Sequence, residues 1–161
     1  MKRISLISLL VLLLLLATAS LATASESKTV YRALLSESPA AESDAHGNSV
    51  FQFADDGSQV KYTLVVNGLD DTFMAHIHVA AEPGANGPIV LWLYPSAPPS
   101  ELIPGTFNGL LNSGTATSAD LTGAMGVNTL EDLRAAIEEG RAYVNVHTTA
   151  FPGGEIRGTI H

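Results

Sequence analysis

The chain has 161 residues, 46% of them hydrophobic and 15% charged, with 14 Gly, 8 Pro and no Cys, a length that suits one globular domain and is short for two. It carries 16 acidic against 8 basic residues, formal net charge −8, and so acidic a surface repels a phosphate backbone and excludes nucleic acid as a partner. Without cysteine there is no disulfide and no lipid-modified N-terminal thiol, so a packed core must supply the stability.

Lys2 and Arg3 precede an apolar run over residues 4–16, and small residues ending in Ala22, Thr23 and Ala24 follow. This is the layout of a secretory signal peptide, residues 1–24, cleaved near Ala24. The run is shorter than the roughly 20 residues that span a bilayer, and no later segment comes closer, so no membrane span is expected in the mature chain. Residues 25–161 then form one domain of 137 residues that keeps 6 of the 8 basic side chains and all 16 acidic ones, net −10. Its expected location is the periplasm or the space outside the cell.

The mature part reads as short strands separated by Gly, Pro, Asn, Asp and Ser clusters, which predicts an all-β, Greek-key β-sandwich or barrel. Residues 30–35 form the first predicted strand, and 36–48, with Pro39 and Gly47, a loop. Residues 49–54 and 59–66 flank Asp55-Asp56-Gly57-Ser58, a hairpin signal. A turn is predicted at 68–71, a strand at 73–80, and a loop at 82–88. The near-continuous apolar run 89–94 suggests a strand buried on both faces, with Trp92 and Tyr94 in the core. Residues 95–104 are too rich in proline for a central strand. A strand over 107–111 follows. Thr129 caps the one short helix, 129–139, with Leu130, Leu133 and Ile137 on one stripe and Gly140 as terminator. Strands over 142–148 and 155–160 close the chain.

Period-two alternation sorts the polar side chains. Ala75, Ile77 and Val79 point inward and His76 and His78 away. Ala142, Val144 and Val146 point inward and Tyr143, Asn145 and His147 away. In the last strand Ile156 and Ile160 face the core, Glu155 and Arg157 the other side. A His-x-His pair on one strand with a third imidazole from another can supply three nitrogens to one copper or zinc ion, so His76, His78 and His147 are candidate ligands. Tyr143, Asn145 or Glu155 can orient the rings, with Arg157 alongside. His46, in the predicted 36–48 loop, is a possible fourth ligand. The alternative is a metal-free hydrogen-bond network in which the imidazoles bridge strands and loops, and Glu155 and Arg157 pair with neighbouring polar groups or with each other.

Other chemistries lack their patterns. Thr148 and Thr149 sit in no nucleophile elbow or triad. Gly84 to Gly87 has no following Lys-Ser/Thr and no helix, so it is not a phosphate cradle. The pairs Asp55-Asp56 and Asp70-Asp71 fall in predicted turns and lack the spacing of a calcium loop.

The segments Ala75-His76-Ile77-His78, Asn86-Gly87-Pro88-Ile89-Val90, Ala142-Tyr143-Val144-Asn145-Val146-His147-Thr148 and Pro152-Gly153-Gly154-Glu155-Ile156-Arg157-Gly158 resemble, in order and spacing, the CHRD domain named after chordin. The resemblance runs over nearly the whole mature chain. It implies an extracytoplasmic all-β domain that serves as a binding or structural module, with no established catalysis. Where family members carry Gly after His-x-His this chain has Val79, and where they carry Glu-Val-Pro-Pro it has Glu37-Ser38-Pro39-Ala40-Ala41. By analogy the three histidines also resemble the copper half of a copper/zinc superoxide dismutase, but no metal-bridging His follows His78 and the 82–88 loop holds no zinc ligands. Copper-dependent redox activity is the one enzymatic reading left. The expectation is therefore a secreted module that holds one copper ion, or zinc, at His76, His78 and His147. Its rival is a metal-free domain that recognises an unidentified extracellular protein.

Overall fold

The computed structural model describes residues 29–161, so the expected leader, 1–24, lies outside the described residues. Seven strands form, β1 (Val30–Glu37), β2 (His46–Phe53), β3 (Val60–Val79), β4 (Ile89–Tyr94), β5 (Ile103–Ala116), β6 (Ala142–Thr148) and β7 (Ile156–Thr159), with one α-helix, α1 (Leu130–Glu138), between β5 and β6. The all-β expectation with a single short helix holds. No helix among the described residues is long and apolar enough to cross a membrane.

β3 organises the molecule. β2 and β5 flank its first half, and β6 and β4 its second. Thr72 pairs with Ile103 of β5 and Thr148 of β6, so these strands lie on opposite sides of β3. The path β2-β1-β7-β6 runs between two stretches of the same β3 edge, closing the sheet into a barrel that has no free edge along this arc. β1–β7 and β3–β6 join strands distant in sequence, the crossovers of a Greek-key chain path. β5 is bonded only to β3, an edge position at which Pro104 removes no ladder bond.

The turn expected at 68–71 is absent. The chain stays in β3, which is 20 residues long, and absorbs the left-handed residues Gly68 (φ 75°) and Asp71 (φ 51°) as bulges, where the β3–β5 register shifts. An Asp-rich, glycine-containing segment serves a bulge as well as it serves a turn. The bulge at Gly68 also switches parity: buried apolar positions are the even residues Val60, Tyr62, Leu64 and Val66 before it and the odd residues Leu69, Ala75, Ile77 and Val79 after it. That switch sends His76 and His78 to the face opposite the core.

Other boundaries follow local chemistry. The β2–β3 hairpin turns through Asp55-Asp56-Gly57-Ser58, with Gly57 at φ 69° and Ser58 N–H donating to Asp56 Oδ1. β2 starts at His46 and β5 at Ile103, earlier than alternation alone predicted, because ladder pairing with β3 extends each strand beyond its apolar run. Thr129 caps α1 and accepts from Asp132 N–H, and Asp132 answers at the cap backbone, a reciprocal box. Leu130, Leu133 and Ile137 are buried in the same core as the barrel interior, and Gly140 at φ 71° ends the helix. Tyr31 donates from β1 to Glu138 Oε1 at 2.6 Å, tying the helix to the barrel.

Candidate metal centre

β6 is buried at every residue from Ala142 to Thr148, and β3 is buried from Ala75 to Val79. Their second face is therefore covered and does not open outward to solvent as expected. His76 is 0% exposed, His78 8% and His147 4%. In the β3–β6 ladder His76 pairs with Asn145 and Met74 with His147. This staggers the three imidazoles across two adjacent strands, and one ring nitrogen from each falls within 4.8 Å of the others.

Two backbone carbonyls fix two tautomers. His78 Nδ1 lies 2.9 Å from Gly87 O and His147 Nδ1 lies 2.9 Å from Pro152 O. A carbonyl only accepts, so each Nδ1 carries the hydrogen and each Nε2 keeps its lone pair. His147 Nε2 is 3.3 Å from His76 Nδ1. The Nε2 atoms of His76 and His78 are buried with no hydrogen-bond partner. Holding Nδ1–H on a carbonyl while Nε2 stays free is the arrangement in which histidines commonly bind metals.

Burial also keeps the rings neutral. His76 is pushed down from the ordinary 6.5 to about 3, first by desolvation and then by His147 and His78. His78 falls to about 4, again mainly through burial, with the Gly87 carbonyl pulling upward and His147 and Arg157 pressing down. His147 is lowered by burial against the opposing pull of the Pro152 carbonyl. Neutral imidazole is the metal-binding form, so no proton competes for these lone pairs near pH 7. Nitrogens on opposite sides of one ion with 2.0–2.1 Å bonds lie roughly 4.1 Å apart. The 4.8 Å spread thus leaves less than about 1 Å of closure, within the reach of small side-chain rotations.

The other predicted site residues take different roles. Tyr143 stacks on His78 with ring centroids 5.1 Å apart at 14° and accepts from Gly87 N–H at 3.1 Å, which steadies the carbonyl that orients His78. Asn145 donates to Gly153 O at 3.0 Å and meets no imidazole through a hydrogen bond. Glu155 is buried but accepts from Ser43 Oγ and Thr148 Oγ1, both at 2.6 Å. The two carbonyls, not this carboxylate, orient the rings. Glu155 and Arg157 do not pair: the Arg157 guanidinium lies 3.9 Å over the Tyr143 ring and donates to Asn86 and Ala85. His46 is exposed at the head of β2, its Nδ1 3.3 Å from Asp44 O, and is outside the histidine group, so it supplies no fourth ligand there.

Three contributors escaped the sequence reading. Trp92, a core residue by its pattern, has its ring edge-on to His76 with centroids 4.3 Å apart at 83°. The β3–β4 ladder pairs the two residues directly, but register shifts on both sides of His76 and Ile77 hide that pairing from alternation counts. The carbonyls of Gly87 and Pro152 are invisible to side-chain patterns. Their signal is indirect: both belong to Gly/Pro-rich loops that end beside a histidine-bearing strand.

Residues 18–160 match the family described as the CHRD domain. No curated protein and no solved structure matches the chain.

Proposed function

From the chain's membership of the CHRD domain family we propose that it works as an exported module, its leader cleaved near Ala24, that holds one copper ion on His76, His78 and His147. The observation that carries this reading is the pair of buried Nε2 atoms without partners beside a third imidazole whose Nδ1 is already committed to a carbonyl. A finished structural network leaves few such groups, because an unsatisfied buried acceptor costs about 1–3 kcal/mol. Nitrogen donors of this type suit Cu(II) and Zn(II) alike. Bound copper would supply a one-electron redox couple. The chain's own contribution is to keep three imidazoles neutral and fix two tautomers.

Trp92 is the sole tryptophan and touches His76, so it reports on the site directly. Addition of Cu(II) to residues 25–161 is expected to quench its fluorescence with 1:1 stoichiometry, and a folded His76→Ala/His147→Ala variant is expected to lose that saturable quenching. Equal quenching of both proteins would overturn the reading. Zn(II) competing against Cu(II) distinguishes the two metals. N-terminal sequencing of the exported protein checks the cleavage site.

A second reading rests on the 3.3 Å contact between His76 Nδ1 and His147 Nε2 together with the two carbonyl bonds: the imidazoles serve as a metal-free network inside a protein-interaction domain. Absence of tight metal binding in the same titration favours it.

A further inference from the structure

A cavity of about 480 Å³ opens beside His78, bounded on the strand side by His78, Tyr143 and Arg157 and on the loop side by the segment from Gly84 to Gly87 and by Ser38. Its volume lies in the range of small-molecule sites. We propose that this cavity binds a small organic carboxylate, with the Arg157 guanidinium as counter-charge.

Charge is the first argument. The chain is acidic overall, net −8, yet no Asp, Glu or Lys lines the cavity, and Arg157 is its one cationic residue. Among the described residues the ion pairs are Arg134–Glu131 and Arg141–Glu139. Arg157 instead donates to two neutral oxygens, Asn86 Oδ1 at 2.9 Å and Ala85 O at 3.3 Å. The cavity is thus a local positive site on a chain of net negative charge, and it concentrates anions there.

Preorganisation is the second. Packing over Tyr143 at 3.9 Å and the two bonds to the 84–87 loop hold the guanidinium plane in place before any ligand arrives. A guanidinium has five N–H donors, of which two are used in these bonds, so a fork remains for a carboxylate, the bidentate partner that fits it. Little side-chain freedom is left to lose on binding, which favours affinity. The pocket needs no metal, so the inference stands apart from the copper reading.

Metal-stripped protein, residues 25–161, is titrated with lactate and with its neutral isostere lactamide at fixed ionic strength, followed by amide NMR. Saturable shifts at Gly84, Ala85, Asn86 and Gly87 are expected with lactate, at least tenfold weaker binding with lactamide, and at least a fivefold loss of lactate affinity in Arg157→Gln. Arg157→Lys, which keeps the charge and loses the fork, is expected to fall between and serves if the glutamine variant does not fold. Absence of saturable shifts at those amides, an equal response to lactamide, or unchanged lactate affinity in the folded Arg157 variants would overturn the proposal. A failed copper titration leaves these outcomes untouched.

Discussion

Acidification of the metal-free protein isolates the energetic cost of burying the histidines. The folded-state values are about 3 for His76 and about 4 for His78, against 6.5 for the free imidazole. Both are depressed, so the unfolded chain takes up protons first, and stability falls as the pH drops below 6.5 and keeps falling toward 4. One unit below 6.5 each site costs about 1 kcal/mol or slightly more, so moving from pH 7.5 to 5.5 removes roughly 2–3 kcal/mol through these two residues. His147 is shifted in the same direction and adds to the loss. Asp56 and Asp132 lie below the ordinary 3.8 and stay ionised throughout this window. Against a total of about 5–15 kcal/mol for a domain, the effect moves a urea midpoint clearly at constant m-value. His76→Leu removes one titrating ring and is expected to recover about half of the loss. Stability that stays flat within about 1 kcal/mol from pH 7.5 to 5.5, or a His76→Leu protein with the wild-type slope, would refute the reasoning.

Three further outcomes test the supports of the site. A Cβ added at Gly87 would come within 2.0 Å of Val79 O, so Gly87→Ala is expected to displace the carbonyl that holds His78, cost about 2 kcal/mol or more, and shift the His78 ring resonances in NMR. Glu155→Gln puts an amide where two hydroxyls donate to a carboxylate. A loss of about 1–3 kcal/mol in urea unfolding is expected, with faster hydrogen exchange at the amides of residues 149–154. Thr129→Ala removes the cap of α1 and is expected to cost about 1 kcal/mol, while leaving metal binding by the distant histidines unchanged in the tryptophan titration.

Much of this architecture is written locally. The cap at Thr129, the hairpin at Asp55-Asp56-Gly57-Ser58 and the in-out sorting of His76, His78, Tyr143, Asn145 and His147 each depend on a few adjacent residues, and each forms where the pattern places it. What escaped depends on pairing between distant segments. Gly68 and Asp71 have the composition of a turn, and only the partners β5 and β6 on either side of β3 keep the chain extended through them. Trp92 meets His76 through a register that bulges displace. Glu155 accepts from Ser43 and Thr148, and Ser43 lies 112 residues away in sequence, a partner that period-two counting cannot contain. His46 joins a strand because Asn67 stands opposite it, far from the other histidines' face.

The histidine layer makes little sense as a stabilising device. Its rings are desolvated, two of its nitrogens lack partners, and acid works against it, whereas leucine or phenylalanine in the same space would bring apolar burial without those costs. The surrounding structure nevertheless holds the layer firmly. The bulge at Gly68 switches the parity that sends His76 and His78 away from the core, Tyr143 braces the Gly87 amide, and the Pro152 carbonyl fixes the His147 tautomer. Groups that lower stability and are held in place from several directions are characteristic of sites kept for binding. A ligand that supplies the missing partners recovers that energy as affinity, and added to the folded state alone it raises stability by mass action. The metal reading thus demands that Cu(II) or Zn(II) flatten the acid dependence described above, since an occupied lone pair cannot take up a proton until the metal leaves.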